Sequence, residues 1–231
     1  MCLIALAHGD RLLLAANRDE DYERATRSAH LWEDAPDVIG GRDALHGGSW
    51  LAISRHGRFA AVTNLRGAMP RGRSRGLLVS SFVTSTETPE DFATSVAREA
   101  VHYAGFHLLV GEAGRTVVYV TPSETPRILE RGIYGFSNAP SGERWPKVDL
   151  AVDEMKAVLA SPADPTDELL RFLGTEHHRG RVEEEVFIVG DRYGTRASTV
   201  VIASMDEILF AEQNYGRGGI RLALNRTTLR P

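Results

Sequence analysis

Cysteine is almost missing from this chain: Cys2 is the only one in 231 residues. An internal disulfide framework is therefore excluded, and the chain suits a reducing compartment. A cytoplasmic location is the expectation. Lysine is equally scarce, Lys147 and Lys156 standing against many arginines. No sign of charge dominates: the formal net charge is −4 and the sequence pI ≈ 6.1, so there is no basic footprint for nucleic acid. No apolar run approaches the roughly 20 residues of a membrane-spanning helix. The apolar start Cys2–Ala7 lacks a basic leader and is too short for a secretory signal core. Repeats, low-complexity tracts and linkers are absent too, so the 25.4 kDa chain reads as one domain spanning 1–231.

What is present is a series of short elements. Cys2–Ala7 and Leu12–Ala16 are apolar runs around His8-Gly9-Asp10 and predict a hairpin. A second hairpin is predicted for Ser49–Ser54 and Arg58–Thr63 around Arg55-His56-Gly57. Ser74 is a candidate cap for a helix carrying Leu77, Leu78 and Phe82. Thr88-Pro89-Glu90-Asp91 is a stronger helix start, followed by Phe92, Val96, Ala100 and Tyr103 at near-helical spacing. Strands are predicted at Phe106–Gly111 and Thr116–Thr121. A helix through Val148, Val152, Met155 and Leu159 and a shorter one at Leu169–Phe172 come next, then strands at Val186–Val189, Thr199–Ala203 and Ile208–Gln213. Short hairpin loops imply antiparallel pairing. Helices in two groups among such strands predict a layered α+β domain whose sheets are covered on their outer faces.

Removal of Met1 would place a thiol and a free α-amine on Cys2. A thiolate is the reactive form of cysteine, and an α-amine of pKa about 7.7–8.0 can take a proton near neutrality. One residue can then be nucleophile and base together. Alone, Cys2 reads better as a small apolar residue opening a buried strand. The hairpin changes that balance, because it brings Cys2 beside Asn17-Arg18-Asp19-Glu20-Asp21. A neighbouring guanidinium favours thiolate, so the thiol pKa is expected below its ordinary value of about 8.5.

Cys2 with Asn17-Arg18-Asp19-Glu20 resembles the NRDE family, the transport and Golgi organisation protein 2 family. Further blocks keep to that pattern: Gly40-Gly41-Arg42-Asp43, Gly47-Gly48-Ser49-Trp50-Leu51, Thr63-Asn64-Leu65-Arg66, Ser74-Arg75-Gly76, Tyr134-Gly135-Phe136-Ser137-Asn138, Trp145-Pro146-Lys147-Val148 and Tyr193–Thr199. They span nearly the whole chain. That family in turn resembles the N-terminal nucleophile hydrolases, near penicillin V acylases, bile salt hydrolases and acid ceramidase-like enzymes. The resemblance implies a four-layer αββα sandwich of antiparallel sheets, with the nucleophile at the start of a central strand. It also implies a site of Cys2, Arg18, a carboxylate, Asn64 and Asn138 as oxyanion donors, and Arg196 orienting Cys2 or the carboxylate. The acylase spacing falls on Asp21 and the NRDE pattern on Asp19 or Glu20; Asp19 is the first choice.

Two functions follow from the resemblance. One is a cysteine hydrolase acting on an amide or acyl thioester through an acyl-enzyme, with a small acyl or amide substrate and no cofactor. The other is a carrier for haem, acyl-CoA or lipid on the same fold. His177-His178 has no metal-ligand spacing and reads as a solvated loop, as do Arg71, Arg73 and Arg75. Gly67–Arg73 and Pro140–Arg144 are the expected rims of a pocket.

Overall fold

The computed structural model describes residues 2–67, 72–122, 124–176 and 180–230. Its strands run in chain order β1 (Cys2–His8), β2 (Leu12–Asp21), β3 (Thr26–Trp32), β4 (Ala35–Asp43), β5 (Leu51–Ser54) and β6 (Arg58–Asn64). Helices α1 (Gly76–Thr84) and α2 (Pro89–Glu99) follow, then β7 (Phe106–Glu112), β8 (Val117–Val120), β9 (Arg127–Ile128) and β10 (Gly132–Ser137). Helices α3 (Pro146–Ala160) and α4 (Pro165–Leu173) precede β11 (Tyr193–Ala203), β12 (Ile208–Tyr215) and β13 (Arg221–Leu229).

The strands form a six-stranded sheet, β10-β1-β2-β11-β12-β13, and a seven-stranded sheet running β3 to β9 in order, with antiparallel pairing throughout. Ile4, Leu6, Leu12, Leu14 and Ala16 of the first sheet meet Ile39, Ile53, Phe59 and Leu109 of the second. The opposite parity of the same strands, Leu3, Ala5, Ala7, Leu13 and Ala15, packs under α3 and α4 through Val148, Met155, Leu169 and Phe172. Helices α1 and α2 cover the outer face of the second sheet through Leu78, Phe82, Phe92 and Val96. The layers are therefore αββα. β1 and β2 are covered on both faces, which is why they read as continuous apolar runs rather than alternating ones.

The local signals of α2 hold: Thr88 accepts the Asp91 N–H at 3.1 Å, and Pro89 opens the helix. Other expectations need correction. Ser74 is not a side-chain cap; α1 starts from Arg75 with no side-chain cap bond. Ala100 lies in a short 3-10 turn after α2. β2, by contrast, continues past the Leu12–Ala16 run and ends in Asn17–Asp21, as expected. Val186–Val189 forms no strand, because the Val186 carbonyl accepts the Asn17 side chain at 2.8 Å and Ile188 exchanges bonds with Thr195.

Two glycines shape the region around Cys2. A Cβ on Gly41 would collide with the Trp50 indole, and one on Gly48 with the backbone of Gly76. Only glycine lets the 47–50 segment lie on the start of α1, where Ser49 N–H donates to Gly76 O at 3.0 Å. Among the described residues no helix is long and apolar enough to cross a membrane.

Candidate active site

The site lies where β1 begins. Register places Cys2 opposite Arg18 on β2. On the other side the β1–β10 pairing ends at Leu3–Ser137, so Asn138 follows directly on the strand beside the start of β1. Cys2, Arg18, Asp19 and Asn64 line one cavity, together with Glu20, Arg24, Asp43, Ser49, Trp50, Val62 and Ser74–Gly76. About 560 Å³ of space, part of it open solvent, lies among these side chains.

Arg18 continues the parity of Leu14 and Ala16, so its side chain enters the space between the sheets. It is buried there, and three contacts offset its desolvation. The guanidinium lies 4.2 Å from the Trp50 ring centroid, donates to Thr26 Oγ1 at 3.1 Å, and approaches Glu20 at 3.9 Å. Arg24 holds Asp43 at 2.6 Å and Glu20 at 3.6 Å across the cavity mouth. Arg75 reaches the Gly105 carbonyl at 3.2 Å.

Asp19 is the buried carboxylate of the three candidates. Thr195 Oγ1 donates to its Oδ1 at 2.7 Å, and its own backbone carbonyl accepts the Tyr193 hydroxyl at 2.8 Å. Burial pushes the Asp19 carboxyl up, against the pull of Lys147, the Thr195 bond and Arg18. Glu20 is also on the cavity, while Asp21 turns outward to Arg192 at 2.8 Å.

The Cys2 thiol is pushed above its ordinary value, first by burial and further by the Asp19 charge; a backbone hydrogen bond from Asp19 and the Arg18 guanidinium act the other way. This corrects the expected fall. One guanidinium does not outweigh the desolvation of a thiolate in this pocket.

The two asparagines differ. Asn64 ends β6 exposed on the cavity wall. Asn138 is buried, its Oδ1 has no hydrogen-bond partner among the described residues, and its backbone carbonyl accepts the Arg66 N–H at 3.0 Å. Asn138 is not among the residues that line the cavity, but its backbone joins Arg66, two residues beyond the cavity-lining Asn64.

Arg196 sits at the irregularity where β11 shifts register against Arg18 and Asp19. A bulge of this kind re-aims a side chain. Its guanidinium holds the Asp21 and Arg24 carbonyls at 3.2 and 2.5 Å and reaches Thr26 Oγ1 at 3.4 Å. Rather than orienting Cys2 or Asp19 directly, it anchors the turn that carries Arg24 and shares Thr26 with Arg18.

Arg75, expected in a solvated loop, instead lines the cavity, as does Trp50, because the Gly48–Gly76 approach folds both segments inward. Their signal in the sequence is confined to the motif blocks that hold them. Residues 68–71 of the expected rim, and His177-His178, lie outside the described residues. Pro140 and Glu143 border a separate hollow with Arg66 and Trp145. Among the described residues no cluster of three or more His, Cys, Asp or Glu could hold a metal ion. Both ring nitrogens of buried His107 are engaged, with Tyr119 Oη at 2.7 Å and Ala139 O at 2.9 Å.

The chain is similar along its length to known proteins. It is 33% identical over 238 residues to the Transport and Golgi organization protein 2 homolog of Bos taurus, covering 88% of this chain and 86% of that one. Its identity to the Homo sapiens homolog is 30% with the same coverage. Among solved structures, a cysteine-to-alanine mutant of conjugated bile acid hydrolase from Clostridium perfringens superposes with a TM-score of 0.59 at 10% identity, over 98% of this chain and 92% of that one. The fold is that of the N-terminal nucleophile hydrolases. The sequence profile described as Transport and Golgi organisation 2 matches residues 1–217, and the chain belongs to that family.

Proposed function

We propose that this protein is an N-terminal cysteine hydrolase of an amide or acyl thioester. The observation that carries the reading is the meeting of Cys2, Arg18, Asp19 and Asn64 on one cavity at the end of β1, with Asn138 following the neighbouring β10. Loss of Met1 frees the Cys2 amine. The amine takes the thiol proton, the sulfur attacks the acyl carbon, and the side-chain amides of Asn64 and Asn138 hold the oxyanion. Collapse expels the amine or thiol, which receives the proton back, and leaves a thioester on Cys2. Water, deprotonated by the same amine, then releases the acid. Asp19 holds the amine, and Arg18 favours the thiolate.

A carrier of haem or acyl-CoA is the second reading. Burial raising the thiol favours it, because a carrier has no need of a reactive sulfur. Mass spectrometry separates the two. The hydrolase loses Met1, accumulates an acyl adduct on Cys2 with N-acyl amino acids or acyl-CoA thioesters, and loses turnover in Cys2→Ala. Asn138→Ala lowers the rate on the order of 10²–10³. Saturable binding without product, unchanged in Cys2→Ser, identifies the carrier.

A further inference from the structure

Lys147 has no part in that chemistry, yet it is the most anomalous charge in the molecule. It is 0% exposed, and its Nζ has no hydrogen-bond partner among the described residues. Lysine is almost never fully buried unless paired. Position explains how it arrives there. Pro146 opens α3 and Lys147 follows at once, its N–H donating to Glu183 O at 3.3 Å. Val148 and Met155, on the same helix, pack on the Leu3, Ala5 and Ala7 face of β1. The side chain is thereby held against the six-stranded sheet on its helical side, the side to which Asp19 belongs by the parity of Leu13 and Ala15. Its Nζ lies 5.5 Å from the Trp145 ring, whose surroundings also include the Arg66 guanidinium at 5.4 Å. The groups acting on it are Asp19 of β2, Cys2 of β1, Glu183 and Arg66.

We infer that Lys147 is a positioning residue of the Cys2 site, a buried cation that counters Asp19 from beneath the sheet and biases Cys2 toward thiolate. The inference rests on the proposed hydrolase. Three features carry it together: complete burial, an Nζ left without a hydrogen bond, and placement behind the two residues whose charge the reaction must manage. A purely structural lysine would be expected to satisfy its ammonium on carbonyls, since a buried donor left unmade is costly. Burial pushes Lys147 down, and Asp19 and Cys2 pull it back up. The interaction is mutual, so the ammonium favours the ionised forms of both partners. After loss of Met1 it would also press the Cys2 amine toward the neutral form that a base requires, as one cation does to another.

The near absence of lysine makes the test direct. Protein labelled at lysine Cε gives signals from Lys147 and Lys156 alone, and exposed Lys156, paired with Asp153 at 2.9 Å, supplies the reference. Asp19→Asn is expected to move the Lys147 titration downward by roughly half a pH unit or more, and Cys2→Ala to move it less, in the same direction. In Lys147→Met, iodoacetamide alkylation of Cys2 at pH 7 is expected to slow about three- to tenfold, with Lys147→Arg restoring the wild-type pH profile. A Lys147 titration indifferent to Asp19→Asn overturns the inference. So does an alkylation profile of folded Lys147→Met that superimposes on wild type. If Lys147→Met does not fold, the titration in Asp19→Asn decides alone. Neither measurement uses a substrate, so failure to find an acyl-enzyme leaves this result standing, and the reverse also holds.

Discussion

Two carboxylates are buried in the same six-stranded sheet, and they teach opposite lessons. Glu212, on β12, is 0% exposed and spans the gap between the sheets: its Oε1 accepts the Ala29 N–H of β3 at 2.7 Å, and its Oε2 the Thr199 hydroxyl at 3.4 Å. Asp19, on β2, is 3% exposed, borders the cavity, and has Arg18 and Lys147 in its electrostatic field. Burial pushes both carboxyls up. Glu212 is settled chiefly by neutral donors, with Arg18 a lesser influence, and clamps two layers together. Asp19 is surrounded by charged and titratable groups, beside the Cys2 thiol and open space. Burial alone therefore does not mark a functional carboxylate. Burial next to a cavity and titratable neighbours makes one a candidate.

The largest effect expected from breaking this contrast is on the clamp. Glu212→Ala orphans the Ala29 N–H, at about 1–3 kcal/mol, with a further loss for the void it opens. Chemical denaturation measures the sum, and alkylation of Cys2 in the folded variant should stay near wild type.

The pH dependence of stability sharpens the same point. The folded-state pKa of Glu212 lies above its unfolded value, so the folded protein holds the proton that the unfolded chain releases. Its contribution is complete below about pH 4.5 and falls as pH rises toward the folded value. That slope is worth up to about 1.4 kcal/mol per pH unit while the states differ by one proton. Glu212→Gln should flatten it in denaturation curves taken from pH 4 upward; an unchanged slope assigns it elsewhere.

The smallest effect separates the site carboxylate. Asp19→Asn removes a negative charge that disfavours the Cys2 thiolate. Alkylation at pH 7 should therefore quicken, about two- to fivefold, while hydrolytic turnover falls because the amine loses its partner. Glu212→Gln should produce neither change. Parallel loss of alkylation and turnover in Asp19→Asn would make Asp19 a structural residue like Glu212.

Much of this was legible residue by residue. The hairpin of β1 and β2 follows from two apolar runs around a short turn, and it forces Cys2 against Arg18. α2 announces itself through Thr88, Pro89 and its first-turn acids. Elements without an inward apolar pattern were not legible. β3 carries Thr26-Arg27-Ser28 and is largely open, and β13 is exposed along most of its length. Both are sheet edges that bury too little to write a period into the sequence. Val186–Val189 failed in the opposite way, an apolar run whose backbone is claimed by the Asn17 side chain and Thr195.

The sequence by itself determined a layered α+β domain and the hairpin that sets Cys2 against Arg18, because each depends on neighbours along one strand or across one turn; the candidacy of Asn64 and Asn138 came from the family resemblance. Only the tertiary structure decided which carboxylate is buried, that Arg196 serves the turn after β2, that Trp50 and Arg75 line the Cys2 cavity, and that Lys147 of α3 is buried. Those residues come from distant segments and meet only when both sheets and α3 close over them. Burial then pushes the Cys2 thiol up, where its sequence neighbours alone would have pulled it down.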